Sequence, residues 1–368
     1  MIPPRAHAQS ILTFLDPIRP FLDDGEVSEV LVNGPDEIYV ERRGRLERTD
    51  ARFPSGHALS AALRNIAQYV GRPLDEARPI LEGHLPDGSR IEALLPPVAP
   101  EGPAVAIRRF SKARLGLAEL MERGALCRDA AELLGALVVG KQNILVAGGT
   151  GSGKTSMLGA LSELIPAGER IVVIEDAREL RLLSSHVVHL EARPADARGR
   201  GAIGIRDLFV ATLRMRPDRI VVGELRGGEA LDLVQAMTSG HGGCLSTVHA
   251  SHPRDAIRRL ETLALMGKVE LPLSALRRQI ASAIDVVVQT TRRADGSRGV
   301  CAISEVRGID EEPGYRVVDL MLERRREGEG AGWELRPTGE LPGAPAVRGR
   351  LSEGLRERMR GAHHLEVG

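Results

Sequence analysis

Between Gly148 and Thr155 the chain reads Gly-Gly-Thr-Gly-Ser-Gly-Lys-Thr, which meets GxxxxGK[ST] at every fixed position. A β-branched run, Ile144 to Ala147, precedes it, and a helix-forming segment with Met157, Leu158 and Leu161 follows. That context makes the match specific, because the chemistry needs a strand, a tight loop and a helix N-terminus in that order. Glycines let the backbone approach a phosphate closely, and successive N–H groups can then surround it. The candidate nucleotide-binding residues are Gly148, Gly149, Thr150, Gly151, Ser152, Gly153, Lys154, Thr155 and Ser156. Lys154 is placed to reach β- and γ-phosphates, and the Thr155 hydroxyl to ligate Mg²⁺.

Hydrolysis also needs a group that orients or deprotonates water. "DRIVVGEL" is an apolar strand ending in Glu224, and a carboxylate at a strand tip beside a phosphate loop suits that task. Gly223 stands where many phosphate-loop enzymes carry a magnesium-associated Asp. "RIVVIED" delivers Glu175 and Asp176 to another strand end, with Glu179 following. "GHGGCLSTVHA" contributes His249 at the end of a strand and His241 in a glycine-rich loop, His241 being the weaker candidate. Two histidines at zinc-binding helical spacing are absent, so metal ligation by histidine is not expected. Among many arginines, Arg108 and Arg109 close "AVAIRRF", and Arg214 and Arg216 lie in "TLRMRPDR". An arginine reaching the γ-phosphate could couple hydrolysis to movement.

The elements that must position these groups alternate. Strands are expected at "NILVAGG", "RIVVIED", "SHVVHLEAR", "RIVVGEL", "GCLSTVHA" and "IDVVVQTTR", with helices at about 154–164, 205–215 and 228–239. Such alternation implies an α/β fold with a mostly parallel sheet between helices. A smaller mixed α/β domain precedes it. There "VSEVLVNG", "EIYVERRGRLERTD" and "LPDGSRIEALLPPVAPEGPAVAIRRFS" read as strands, and "SGHALSAALRNIAQYVG" as a helix capped by Ser55. The division expected is a leader (1–26), an N-terminal domain (27–112), a phosphate-loop nucleotide-binding domain (113–310) and a tail of short strands and a terminal helix (311–368).

The 368 residues carry zero formal net charge and only 2% aromatics, which argues against a general nucleic-acid binder. Three scattered cysteines and the lack of a long apolar run or signal pattern point to the cytoplasm.

Four elements in order, "GGTGSGKTS", "VIEDARELRL", "RMRPDRIVVGELRGGEA" and "GHGGCLSTVHA", resemble the secretion-superfamily ATPases of type II and type IV secretion and type IV pilus assembly. Within that superfamily, "VSEVLVNGPDEIYVERRGRLERTDARF", "VGRPLDEARP", "LPDGSRIEALLPPVAPEGPAVAIRRFSK" and "GW…RPTGELP" are similar to the CpaF type, the assembly ATPase of Tad/Flp pili. The resemblance implies a RecA-like core, ATP and Mg²⁺ as cofactors, and a homo-oligomeric ring of six. It implies Glu224 as catalytic base supported by Glu175, His249 near the γ-phosphate, and Arg108 or Arg109 reaching the nucleotide from the N-terminal domain. It also implies an inner-membrane platform protein as partner and peripheral attachment to the cytoplasmic face of that membrane. No direct nucleic-acid partner is expected. The competing readings are a type IV channel ATPase exporting protein or DNA, a RecA-like nucleic-acid motor, and a non-hydrolysing nucleotide switch.

Overall fold

A computed structural model describes residues 11, 13–109, 115–182, 184–195, 199–267, 269, 271–310, 314–325 and 332–362. The chain forms two compact units, Met1–Ala113 with Pro194–Ala202, and Arg114–Arg193 with Ile203–Gly368.

The first unit is an antiparallel sheet of β1 (Val27–Asn33), β2 (Ile38–Arg42), β3 (Arg45–Arg48), β4 (Ile80–His84), β5 (Arg90–Leu94) and β6 (Ala104–Arg108), in the order β3-β2-β1-β6-β5-β4. One face alternates inward through Val30, Val32, Ile91, Ala93, Val105 and Ile107, all buried. The helix Gly56–Val70 contributes Leu59, Leu63 and Ile66 to the same core, at helical spacing. Ser55 caps it by accepting the Ala58 N–H at 3.1 Å. β4 had no distinct sequence signal, because Gly83 takes one of its two buried positions and offers no apolar side chain. Ile11, Leu15, Ile18 and Leu22, from the stretch read as a leader, lie in this unit's core.

The second unit holds a nine-stranded sheet of β7 (Ile144–Gly148), β8 (Ile171–Glu175), β9 (Val187–Glu191), β10 (Arg219–Val222), β11 (Leu245–His249), β12 (Val286–Arg292), β13 (Arg298–Ile309), β14 (Tyr315–Arg325) and β15 (Trp333–Pro337). Its order is β15-β14-β13-β12-β7-β11-β10-β8-β9, parallel from β12 to β9 and antiparallel from β12 to β15. β7, β8 and β10 are buried at every residue, as strands covered on both faces must be. The expected helices form at Lys154–Ser162, Ile205–Thr212 and Glu229–Thr238, joined by Pro253–Leu265 and Leu273–Ala283.

Past residue 310, where the sequence reading expected short strands, β14 spans 11 residues and extends the same sheet. Val347, Leu351, Leu355 and Met359 of the C-terminal stretch join Leu133 and Leu137 in its core. No helix among the described residues is long and apolar enough to cross a membrane.

Arg219 opens β10 fully buried, although its side chain carries a charge. Its Nε donates to Glu169 Oε2 at 2.6 Å and its Nη2 to the Val138 carbonyl at 2.8 Å. A buried guanidinium is tolerated only with such partners, and here it ties the sheet to the helix Arg128–Val139.

Candidate nucleotide site

The site lies at the carboxyl ends of β7, β8, β10 and β11, where parallel strands present their following loops. β7 runs into the glycine loop, and the helix Lys154–Ser162 begins from Gly153, whose φ of 96° sits in the left-handed region. Gly148 is held still more tightly. A Cβ there would meet Ser152 Oγ and Thr290 Oγ1, each at 2.3 Å. Those two hydroxyls contact each other at 2.8 Å, while Thr290 Oγ1 donates to the Ala147 carbonyl at 3.0 Å. The loop is thus pinned from β12 by a residue that the sequence reading did not single out. Gly149 and Thr150 form its exposed tip, and Thr155 and Ser156 lie half-buried in the first helical turn.

Lys154 is buried, with Nζ donating to the carbonyls of Gly148 at 3.1 Å and Gly149 at 2.9 Å. His249 lies alongside, with Nδ1 at 3.4 Å and Nε2 at 3.5 Å from that ammonium. Its Nε2 is 2.7 Å from Glu224 Oε1. Burial, then the Lys154 charge, push the imidazole below its ordinary range, while Glu224 pulls it back. The contact is therefore best read as a neutral ring donating from Nε2 to the carboxylate, with Nδ1 left as the acceptor. Glu224 Oε2 is taken by Arg226, from Nε at 2.7 Å and Nη2 at 2.6 Å. Arg226 Nη1 reaches on to Asp176 Oδ2 at 2.9 Å.

Glu175 ends β8 in a buried position, its Oε1 accepting the N–H groups of Glu179 and Leu180, each at 2.9 Å. Burial pushes its carboxyl up to about 7, against those two hydrogen bonds. A carboxyl raised above its unfolded value near 4.5 leaves stability intact below that value. The loss then accrues as pH rises toward 7. Glu175→Gln, which keeps the acceptor oxygen, should remove up to about 3 kcal/mol of this dependence. Denaturant midpoints of both proteins from pH 4.5 to 8 check it; parallel curves would contradict it.

The remaining candidates lie elsewhere. His241 precedes β11, at the amino ends of the parallel strands and so opposite the loop, with its Nδ1 buried and no hydrogen-bond partner present. Arg214 and Arg216 are exposed ahead of β10. In the first unit, Arg108 is on the exposed side of β6. Arg109 turns into its own unit, donating from Nη1 to the carbonyls of Asp24 and, at 2.7 Å, Val27. Among the described residues no three of His, Cys, Asp and Glu form a ready-made metal cage.

A glycine loop entering a helix, with acidic strand ends and a histidine beside its lysine, defines a P-loop nucleotide-binding protein built on a RecA-like sheet. The chain belongs to the type II/IV secretion system protein family, whose model matches residues 13–317. It is 38% identical over 305 residues to a Mycobacterium tuberculosis protein described under conjugal transfer, covering 81% of this chain and 86% of that one. It is 36% identical over 312 residues to the type IV secretion system protein PtlH homolog of Bordetella bronchiseptica, covering 76% of this chain and 90% of that one. Among solved structures, the Legionella pneumophila ATPase DotB matches over 82% of each chain with a TM-score of 0.56 and 20% identity, a likeness of fold.

Proposed function

We propose that the chain is a magnesium-dependent ATPase that drives a type II/IV secretion-class machine as a ring of six. The observation that carries this is the contact of Lys154, His249 and Glu224, which joins the phosphate loop to an acidic strand end. A γ-phosphate arriving at the loop would draw Lys154 from the Gly148 and Gly149 carbonyls and place water within reach of Glu224. Thr155, water and the phosphates themselves suit Mg²⁺, a hard cation that takes oxygen ligands and keeps several waters. Glu175 would support the base from the neighbouring strand. Arg109 is committed here to two backbone carbonyls of its own unit, and a nucleotide contact by Arg108 or Arg109 is what the motif resemblance implies.

Of the machines in this class, the Tad/Flp pilus is the one whose assembly ATPase the N-terminal motifs resemble. Attachment to the inner membrane would then run through a platform protein. A type IV secretion channel is the second reading, favoured by the descriptions of the mycobacterial and Bordetella relatives. Light scattering on size-exclusion fractions with and without Mg-ATP, with phosphate release on the same fractions, tests the motor. Release confined to a nucleotide-favoured six-subunit species is expected. A well-folded monomer with no release would overturn it.

A further inference from the structure

Asp176, Arg226, Glu224, His249 and Lys154 form one continuous chain of contacts across the ends of β8, β10, β11 and β7. Within it Arg226 is set apart by its attachment. Its own N–H donates to Glu229 Oε1 at 2.6 Å, and the Gly227 N–H donates to the same oxygen at 2.8 Å, so the backbone that carries it is fixed. From there its guanidinium grips one oxygen of Glu224 with two nitrogens, and uses the third to hold Asp176. The other oxygen of Glu224 is thereby aimed at His249, which itself lies against the lysine of the phosphate loop. A planar, doubly anchored guanidinium is well suited to fixing a carboxylate's rotation, whereas an ammonium offers only a point charge.

We propose that Arg226 is a positioning residue for hydrolysis, holding Glu224 so that Oε1 alone faces the attacking water, and that Asp176 acts through Arg226. When nucleotide engages Lys154, water has to displace His249 Nε2 from Oε1, while Arg226 keeps Oε2 clamped. A misaligned base lowers turnover while leaving phosphate affinity alone, because Lys154 and the loop amides bind the ground state.

The test is steady-state hydrolysis and equilibrium binding of Mg-ATP for the full chain as wild type, Arg226→Ala, Arg226→Lys, Asp176→Asn and Arg226→Ala/Asp176→Asn. Arg226→Ala should lower kcat at least tenfold with nucleotide Kd within about twofold. Arg226→Lys should recover part of that loss. Asp176→Asn should cost less, and the double variant no more than Arg226→Ala alone, as expected of residues acting through one another. An unchanged kcat, a change confined to KM, or multiplying losses in the double variant would each overturn the inference. It rests on Glu224 as the base, so an inactive wild type would overturn both assignments, whereas an active wild type matched by Arg226→Ala would overturn this one alone.

Discussion

Glu224→Gln should abolish ATP turnover while leaving Mg-ATP binding close to wild type. Removing a positioned general base costs about 10²- to 10⁴-fold in rate, and the phosphates are held by other groups. Glutamine preserves the size of the side chain and still offers an oxygen to Arg226. Its amide nitrogen would then face His249 Nε2, where two donors meet unless the ring takes its other tautomer. The variant should therefore fold, bind and stall. Phosphate release measured beside equilibrium binding of a labelled nucleotide separates these effects. Turnover that survives would transfer the role of base to Glu175, whose carboxyl lies one strand away with a value near neutrality.

Lys154→Ala should fail one step earlier, at binding. The ammonium is buried and presently satisfied by two loop carbonyls, so in the bound state its charge is available to phosphate at little reorganisation. A hydrogen bond to a charged partner contributes about 1.5–3 kcal/mol, so losing it should weaken Mg-ATP by roughly tenfold to a hundredfold. Hydrolysis should fall further, since the same ammonium neutralises charge as the γ-phosphoryl departs. Burial is the main cause that lowers His249, but deleting the lysine removes the largest charge that adds to it, so the imidazole should titrate at higher pH in the variant. Nucleotide titration gives the first result, and NMR titration of His249 the second.

The phosphate loop was legible because its backbone allows few alternatives. Gly148 has no room for a Cβ and Gly153 sits at positive φ, so the motif's spacing reports the geometry itself. The buried parallel strands were legible for a similar reason, as apolar runs of three or four residues bounded by glycine or acid. β13 and β14 were not. Register shifts between Ile303 and Ser304, and between Val306 and Ile309, break their alternation and leave Glu305 and Arg307 paired inside a strand.

The arginines were the least readable residues. Arg219, Arg226 and Arg109 look alike in a row of letters. The fold makes the first a buried brace, the second a clamp on Glu224, and the third a clasp on its own unit. Only three-dimensional contact distinguishes them, since their partners include the Val138 carbonyl, the Asp176 carboxylate and the Asp24 carbonyl, each far off in the chain.

The most direct test of the account is phosphate release from saturating Mg-ATP by the purified wild-type chain, with Lys154→Ala prepared in parallel. Release by the wild type that requires magnesium and vanishes in Lys154→Ala is the predicted result. A folded wild type that binds Mg-ATP without releasing phosphate, or release undiminished in Lys154→Ala, would contradict it.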